Sequence, residues 1–560
     1  MKFTARVCNE KKEAIFCRIH VYAISNCSET PRENNKATVY CNGEYVFELA
    51  PGEYGIEITK GKLFSPVKVN IQMAQDDVVL ETVLTEIIDT KRLGLYSFDA
   101  HSHVSRSLSV QTGNLEYAST VMKGEDYHFF FAGSPYDQET HREDIDVCYN
   151  AEVSYRERFS DVIAAANNDS FILDIGNEIV KCRYGHMFIM NYDQKPPFSQ
   201  YYDRAWDPWL FTKIGDEPRF MIPYPYEALR RERGRNSVAV AAHPTSWWFH
   251  EGEFISNIAA TLGFEILAES IDAMVIMGYD RDHRYYQSLW YDALNNGYFM
   301  PGVAETDHTF DTNQTKYLEF KTYTYLEDFT IDALCTSVKA GRNIVSSGPI
   351  VLLSVNGQLP GAVLNYQAGE EFRVRIEAFP CCEAPLHQVQ LIVNGEVWKE
   401  YSVNEERIEV NEITIISQDS YILAKCYDAA GNVAIANPVY IKNTPFVNRD
   451  FKSDLTVKVM KDGEPADGRF WIDDDPHKTA FSKEITSKIS VAAEVNIEVE
   501  GTVKTVKLFE MDELQSIFRN LYFGYFNRDR RYRAGEVPAE YFELSRIRSL
   551  LSKVDLHVRF

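Results

Sequence analysis

The sequence predicts a multidomain protein that joins an α/β domain to all-β modules. At 560 residues the chain is too long for one hydrophobic core, and roughly two to four domains are expected. The first 90 or so residues alternate apolar and polar positions, which is typical of half-buried strands. From about 91 to 345, short apolar runs instead alternate with helical stretches, which indicates β/α units and a largely parallel sheet.

The N-terminal module, residues 1–90, is predicted to be a small β-sandwich. The segments 14–22, 37–41, 45–49, 55–58 and 67–71 alternate in polarity, and turn residues such as Asn42-Gly43 and Pro51-Gly52 separate them. Several short strands at this spacing favour an antiparallel sandwich. No catalytic cluster is visible in this module.

Residues 91–345 are predicted to form a closed or nearly closed barrel of about seven strands. The apolar runs are 93–98, 128–133, 171–175, 186–191, 237–242, 273–277 and 298–304. The helical candidates are 145–167, 254–268, 282–296 and 327–340, and Gly341 stands where a left-handed helix cap is expected. The active site of such a barrel lies at the C-terminal ends of its strands.

Alternation returns after the barrel. Residues 346–445 are predicted to form a second β-sandwich, and residues 446–560 a β-rich module with helices near 511–522 and 538–552. The basic segment 527–533 is interpreted as a solvated loop or an internal salt-bridge partner rather than a binding site.

Composition excludes several functions. A net charge of −24 argues against a nucleic-acid partner and against anionic membranes. No run of 18 apolar residues is present, and the first ten residues read as a strand rather than a signal peptide, so a cytoplasmic location is expected. Ten scattered cysteines without a Cys-x-x-Cys pair fit reduced thiols. Four of them precede residue 42, so local disulfides there remain a minor alternative.

A histidine pair opens the barrel region. His101 and His103 follow the apolar run 93–98 and, two residues apart on an extended backbone, point to the same face. One strand end can therefore offer two imidazole ligands to one metal ion or a metal pair. Nine of the thirteen histidines lie between residues 96 and 310, which favours a site there.

Further candidate ligands follow other strand ends. Glu178 follows the third apolar run, His186 begins the next, and His243 precedes Pro244 where a strand must stop. Asp307 and His308 follow the last run as adjacent carboxylate and imidazole ligands. His186 and His308 can alternatively orient another ligand or the substrate. His128, His141, His250 and His283 are interpreted as structural or surface residues, and Trp247 as either a pocket wall or core packing.

These motifs resemble one known superfamily. Asp99-Ala100-His101-Ser102-His103, Gly176-Asn177-Glu178, Tyr184-Gly185-His186-Met187, His243-Pro244 and Thr306-Asp307 are similar to motifs of the PHP (polymerase and histidinol phosphatase) superfamily, and most similar to its CehA/McbA-type, carbaryl-hydrolase-like members. The resemblance covers roughly residues 1–445. It implies a distorted (β/α)7 PHP-type barrel with one to three divalent ions (Zn, Mn or Fe), and hydrolysis of phosphoesters or of carbamate or carboxyl esters.

Mapped onto this chain, the resemblance makes His101, His103, Glu178, His186, His243 and Asp307 metal ligands. One departure stands out, because the Thr-Asp-His that often ends the second PHP strand is replaced by Gly133-Ser134-Pro135-Tyr136-Asp137. A metal ligand is therefore missing, or Asp137 substitutes for it.

The sequence thus predicts a metal-dependent hydrolase that uses a metal-activated water on a small-molecule substrate. Glu178 and Asp307 are the predicted catalytic carboxylates, and His186 or His308 the proton donor to the leaving group. Tyr136, Asp137, Arg183 and Trp247 are candidate substrate residues, although Arg183 also reads as an ordinary surface residue. The alternative is a catalytically weak or inactive protein that retains metal and binds glycans or proteins. Glycan contacts or homo-oligomer contacts are expected through the β modules.

Overall fold

The computed structural model describes most of the chain. The described residues are 1–24, 36–104, 112–133, 156–180, 186–191, 212–214, 217–219, 236–250, 253–258, 262–267, 269–278, 284–310, 318–403, 407–447, 452–473, 475–490, 493–508 and 544–560. These residues form a strand-rich, multidomain molecule with few helices. No helix in these segments has the length and apolar character needed to cross a membrane.

The N-terminal strands form two sheets around one core. The strands are β1 (Lys2–Cys8), β2 (Phe16–Ala23), β3 (Lys36–Asn42), β4 (Glu44–Glu48), β5 (Gly52–Thr59), β6 (Val67–Met73) and β7 (Val78–Val83). One sheet has the order β4-β1-β7 and the other β3-β2-β5-β6. Alternate residues of β2 are buried, and the inward-facing residues of both sheets meet in one apolar cluster. This arrangement is that of a sandwich.

The central strands close into a barrel. After a short 3-10 turn (Lys91–Leu93) they are β8 (Leu95–Phe98), β9 (Ser102–His103), β10 (Phe129–Gly133), β11 (Ile172–Val180), β12 (His186–Met190), β15 (Val238–Ala242), β18 (Ala273–Met277), β19 (Gly302–Ala304) and β20 (His308–Thr309). Two hairpins lie outside this ring, β13 (Thr212–Ile214) with β14 (Glu217–Arg219) and β16 (Thr245–His250) with β17 (Glu253–Ile258). Strand β9 pairs in parallel with both β10 and β20, which closes the ring.

A regular (β/α)7 barrel is not supported, because helices are few in the described segments. They are α1 (Thr112–Gly124), α2 (Ser160–Ala166), α3 (Leu262–Leu267), α4 (Arg284–Asn295), α5 (Ile331–Lys339) and α6 (Leu544–Ser552). Strand β12 is antiparallel to both β11 and β15. Only residues 181–185 connect β11 to β12, which is too short for the crossover that parallel neighbours require.

One predicted helix is wrong over its first part. Residues 254–258 of the expected helix 254–268 belong to strand β17, which pairs antiparallel with β16, and the observed helix covers Leu262–Leu267. The helices predicted at 282–296 and 327–340 are confirmed as α4 and α5, and Gly341 has φ +70°. Of 145–167, residues 156–158 and Ser160–Ala166 are helical, and 145–155 lie outside the described residues, as do 511–522 and 527–533.

The barrel sheet continues into the following β region. Strand β21 (Lys321–Tyr325) pairs with β8 and with β22 (Asn343–Ser346), and β22 pairs with β30 (Val433–Ala436). The other strands of this region are β23 (Ile350–Val355), β24 (Val363–Leu364), β25 (Glu371–Phe379), β26 (Leu386–Val393), β27 (Glu396–Ser402), β28 (Ile408–Ile415), β29 (Ser420–Asp428) and β31 (Val439–Ile441). Its separate sheet, β23-β25-β28, shares an apolar core with the continuous one.

The C-terminal strands form two further sheets. They are β32 (Ser453–Lys461), β33 (Glu464–Pro465), β34 (Gly468–Ile472), β35 (Thr479–Phe481), β36 (Glu484–Ile489), β37 (Glu494–Val499), β38 (Thr502–Lys507) and β39 (Lys553–Arg559). One sheet contains β33-β32-β36 with β39 beside β32, and the other is β35-β34-β37-β38. Helix α6 belongs to the same apolar cluster as α3, so this region packs on the barrel.

Charged groups join the N-terminal sandwich to the barrel. The Glu125 carboxylate, just after α1, pairs with Arg18 of β2 at 2.8 Å and accepts a hydrogen bond from the Tyr40 hydroxyl of β3 at 2.8 Å. Lys60 pairs with Asp126 at 3.2 Å. The buried Lys321 ammonium donates to the Glu125 carbonyl, and burial lowers the pKa of Lys321 to about 8. These contacts fix the sandwich against the side of the barrel.

Candidate metal centre

The candidate ligands meet at one rim of the barrel. His101 lies between β8 and β9, and His103 is the last residue of β9. Asp307 lies between β19 and β20. The Asp307 N–H donates to the His101 carbonyl at 2.9 Å, which places these two residues side by side. Across the barrel, His186 pairs in register with both Val180 of β11 and Ala242 of β15, next to His243. Strand pairing therefore brings together residues that are up to 206 positions apart in the chain.

The histidine pair and Asp307 form one ligand group. The two Nε2 atoms of His101 and His103 are 2.9 Å apart, and each is 3.5 Å from Asp307 Oδ1. Both imidazoles are fully buried, whereas 13% of the Asp307 side chain is exposed. Three ligand atoms lie close enough to share one ion, and Asp307 keeps a path to solvent.

Glu178 links this group to a second one. Its Oε2 atom is 3.0 Å from His103 Nε2, and its Oε1 atom is 3.4 Å from His101 Nε2. Oε1 also lies 2.6 Å from His186 Nδ1 and 3.7 Å from His243 Nε2. One carboxylate thus presents its two oxygens to four imidazoles, the position expected of a bridging ligand.

Two buried carboxylates support the ligands from behind. Glu305 is fully buried, and its Oε2 lies 2.9 Å from His101 Nδ1 while its Oε1 accepts the His243 backbone N–H at 2.6 Å. An Nδ1–H donated to Glu305 leaves the His101 Nε2 lone pair free for a cation, the usual carboxylate–histidine arrangement behind a metal ligand. Asp99 accepts the backbone N–H groups of His101 at 3.1 Å and Thr306 at 3.0 Å. It therefore ties the two ligand-bearing loops together.

Two of the candidate ligands have unusual backbone conformations. His243 has φ +23° and Asp307 has φ +46°. A non-glycine residue in this region costs roughly 1–3 kcal/mol and persists only when its surroundings impose it. Here the His243 N–H bond to Glu305 and the Asp307 N–H bond to His101 impose it. The strain coincides with the positions that aim a ligand into the cluster.

The electrostatics of the cluster favour a bound cation. Burial disfavours the charged form of Glu178, but His101, His186 and His103 outweigh it and lower the pKa of Glu178 well below its usual value. Burial likewise opposes protonation of His101, while Glu178 and Asp307 raise the pKa of His101 well above its usual value. The carboxylates therefore create a negative potential at His101 Nε2, which stabilises a positive charge placed there. Burial lowers the pKa of His186, which keeps that imidazole neutral and able to act as a ligand.

The donor set fits a divalent metal ion. Glu178 Oε2 and His186 Nδ1 are buried, and although each lies within 3.0 Å of another ligand atom, neither contact has hydrogen-bond geometry in the described residues. Buried polar atoms without hydrogen bonds are costly, and a metal ion would satisfy both. A donor set dominated by imidazoles is typical of transition-metal sites rather than of calcium sites, whose ligands are oxygens. Three overlapping groups of ligand atoms can be drawn within the cluster, and one of them includes Glu305.

The other predicted residues either fall outside the described residues or belong to no ligand group found among them. His308 is 4% exposed and packs edge-on against Phe310 with ring centroids 4.7 Å apart, and it belongs to none of the ligand groups found among the described residues. Tyr136, Asp137 and Arg183 lie outside the described residues, as do His141 and His283. Trp247 and His250 lie on strand β16. His128 is buried, and its Nδ1 accepts the Ser97 backbone N–H at 3.0 Å, a structural contact.

Comparison with known proteins identifies no family. No protein-family model matches the chain, and no curated protein does. Among solved structures, a two-domain protein from Bacteroides vulgatus containing a predicted PHP-like metal-dependent phosphoesterase is similar at 9% identity and TM-score 0.31, over 62% of this chain and 95% of that one. A variant of the Bacillus cereus major pilin subunit BcpA aligns at 8% identity and TM-score 0.22, over 92% and 96%. A Parabacteroides merdae β-glucuronidase aligns at 11% identity and TM-score 0.17, over 89% and 74%.

Proposed function

We propose that this protein is a metal-dependent hydrolase whose centre is the cluster at the barrel rim. The observation that carries the proposal is the convergence of His101, His103, Glu178, His186, His243 and Asp307 on one buried position from separate strands. Four imidazoles around a shared carboxylate have no evident structural purpose, because burying so many polar groups together is unfavourable without a cation.

The proposal assigns the ligands to one to three divalent ions, Zn, Mn or Fe. His101, His103 and Asp307 would hold one ion, and His186 and His243 a second, with Glu178 shared between them. A divalent ion held by these residues would supply Lewis acidity and would activate water as a nucleophile near neutral pH. The protein therefore needs no serine or cysteine nucleophile.

The side chains have distinct roles in the proposed reaction. Asp307 is partly exposed and would orient the attacking water, while Glu178, whose side chain is 2% exposed, would balance the charge of the centre. His186 serves either as a ligand, for which it must be neutral, or as the proton donor to the leaving group, which its 17% exposed side chain can reach. His308 is less suited to this step, because its ring packs against Phe310.

Phosphoesters of small molecules are the proposed substrates, with carbamate or carboxyl esters as the alternative. This choice rests on the resemblance of the sequence motifs to the PHP superfamily and to its CehA/McbA-type members. Ligands alone do not determine the bond that is cleaved, because one metal centre can serve several chemistries. Tyr136, Asp137, Arg183 and Trp247 remain the candidate substrate residues on sequence grounds.

The first experiment measures metal content and hydrolysis together. Purified protein loaded with Zn²⁺, Mn²⁺ or Fe²⁺ is analysed for bound metal and assayed with chromogenic phosphodiester, phosphomonoester and carboxyl ester substrates. We expect His101→Ala and Glu178→Gln to lose metal and hydrolysis together. The matched control is His387→Ala, which removes an exposed histidine of the second β region and should change neither.

Two results would contradict the proposal in different ways. Full metal content in the ligand variants would show that the cluster is not the metal centre. Metal bound at the cluster without turnover of any substrate would instead favour the alternative, a binding protein that retains its metal.

The support from Glu305 can be tested separately. We expect Glu305→Gln to weaken metal binding by roughly 10–100-fold, because the neutral amide no longer fixes the His101 tautomer. The measurement is competition with a chelating dye. Glu327→Gln is the control, since the Glu327 side chain is 91% exposed, and it should bind metal like the parent. An unchanged affinity in Glu305→Gln would remove Glu305 from the proposed centre.

A further inference from the structure

Two cysteines face each other inside the N-terminal sandwich, far from the metal cluster in the sequence. Cys17 of β2 and Cys41 of β3 are directly paired across the antiparallel ladder. Their Sγ atoms are 3.9 Å apart and interact as a thiol–thiol hydrogen bond. Cys17 is fully buried, and Cys41 is 8% exposed. No other pair of cysteines in the described segments has a sulfur–sulfur contact of this kind.

The backbone at this pair already meets the requirements of a disulfide. Directly opposed residues of an antiparallel pair have Cα atoms about 4.5–5.5 Å apart. A disulfide needs Cα atoms about 4.4–6.8 Å apart. Side-chain rotation alone can therefore close the gap between the sulfurs, with no change of register. We infer that Cys17 and Cys41 form a redox-sensitive cross-strand disulfide, a modification site independent of the metal centre.

The chemistry requires an oxidant, and a small peroxide such as hydrogen peroxide is sufficient. Cys41 is the more accessible sulfur, and the hydrogen bond from Cys17 lowers the pKa of Cys41 and so favours its thiolate. The Cys41 thiolate attacks one peroxide oxygen, the O–O bond breaks, and a sulfenic acid forms with release of hydroxide. The Cys17 sulfur then attacks the Cys41 sulfur and displaces its hydroxide. Two thiols lose two electrons to the peroxide, and their protons end in two water molecules.

The other described cysteines lack such a partner. Cys8 donates to the Thr82 carbonyl at 3.6 Å, and Cys381 donates to the Asp428 carboxylate at 3.2 Å. Cys335 is buried on helix α5. Oxidation of the folded protein should therefore select the Cys17–Cys41 pair.

The position of the pair gives the disulfide a mechanical consequence. A neighbour of each cysteine contacts the same Glu125 carboxylate of the barrel. Arg18, which follows Cys17, forms an ion pair with it, and Tyr40, which precedes Cys41, donates a hydrogen bond to it. A covalent link beside these contacts fixes the spacing of the two strands. The disulfide also lowers the conformational entropy of the unfolded chain, which stabilises the folded state relative to it. The oxidised protein should unfold at a higher temperature than the reduced protein.

Peptide mapping of the native protein tests the inference. Trypsin places Cys17 in peptide 13–18 and Cys41 in peptide 37–60, while Cys8 and Cys27 fall in other peptides. Folded full-length protein is treated with hydrogen peroxide, alkylated under denaturing conditions and digested. We expect peptides 13–18 and 37–60 to appear as one linked species whose mass is two hydrogens less than the sum of the two peptides. This species should be more abundant than any other disulfide-linked pair and should separate into the two peptides on reduction.

Variants and controls make the result decisive. Cys335→Ser removes a buried cysteine elsewhere and should leave the linked peptide unchanged, whereas Cys17→Ser and Cys41→Ser should abolish it together with the peroxide-dependent rise in unfolding temperature. If a variant fails to fold, peptide mapping of the peroxide-treated parent protein still tests whether Cys17 and Cys41 form the disulfide. Complete alkylation of both cysteines after peroxide treatment would overturn the inference. A link from either one to Cys8 or Cys27 would do the same.

Discussion

His128 is a buried histidine whose protonation should control acid stability. Burial lowers the pKa of His128 to about 3, since its Nδ1 accepts the Ser97 N–H and cannot gain a proton without losing that bond. The unfolded chain has a histidine pKa near 6.5, so it binds more protons than the folded state between pH 3 and 6.5. Stability from this group is complete above pH 6.5 and is lost as the pH falls.

We therefore expect His128→Asn to flatten the acid dependence of stability. Asparagine does not titrate, and its carbonyl can accept the same Ser97 N–H. Between about pH 4 and 6 the parent should lose roughly 1.4 kcal/mol more per pH unit than the variant. Urea unfolding at a series of pH values measures both slopes. Parallel slopes would mean that His128 is protonated in the folded protein.

At the residue scale, sequence reasoning located residues that follow strand ends but not those that support them. His101 and His103 share a face because side chains alternate along a strand, so their proximity follows from local geometry. Sequence patterns assign no role to Glu305, although it precedes Asp307 by two positions and an acidic residue directly after an apolar strand is a signal of its own. Its contact with His101 depends on the Ala100 N–H donating to the Ala304 carbonyl of β19 and on β20 pairing with β9, and pairing between distant strands is not readable from one sequence.

At the element scale, the turn after β5 depends on a glycine. Gly61 has φ +55°, and a Cβ atom added there would lie 2.8 Å from the Glu125 carbonyl oxygen and 3.1 Å from Lys321 Nζ. Gly357 has φ +76°, but nothing lies within 4 Å of an added Cβ. The two positions share the conformational penalty of a left-handed residue and differ in the clash.

We expect Gly61→Ala to destabilise the protein more than Gly357→Ala. Both variants carry a penalty of roughly 1–2 kcal/mol for positive φ. Gly61→Ala should cost about 1–3 kcal/mol more, because backbone of the barrel must move to accept the methyl group. Thermal unfolding of the parent and both variants measures the difference. Equal losses would show that the sandwich and the barrel are not held together closely at Gly61.

Element prediction succeeded for α4 and α5, and in α5 the expected left-handed glycine follows the helix. The helix predicted at 254–258 is wrong, because this segment belongs to β17, which pairs with β16. A short apolar segment satisfies either periodicity, and pairing with a neighbouring strand decided between them. Apolar runs predict where the barrel strands lie in the sequence. They do not predict that β12 runs antiparallel to its neighbours, because strand direction depends on the connections.

At the scale of the whole molecule, the barrel and the following β region share one sheet. Strand β22 pairs with β30, and the buried Asn437 accepts the Gly302 N–H at 2.7 Å and donates to the Gly302 carbonyl at 2.9 Å. Gly302 begins β19, the strand that leads to Glu305 and Asp307. The second β region therefore helps to position the candidate metal centre, and a boundary at 345 falls inside β22.

A fragment of residues 1–345 should consequently fail to form the native barrel, whereas residues 1–447 should retain it. The shorter fragment loses the β30 partner of β22 and leaves both backbone groups of Gly302 without Asn437, at about 1–3 kcal/mol for each unsatisfied buried group. It also exposes the apolar side of Ile344 and Val345, which are fully buried in the whole protein. Near-ultraviolet circular dichroism and a cooperative thermal transition report native packing, and the 1–447 fragment is the matched control. A cooperative transition with native packing in the 1–345 fragment would show that the barrel is an autonomous domain. A loss of packing confined to that fragment would show that the continuous sheet makes barrel and β region one folding unit.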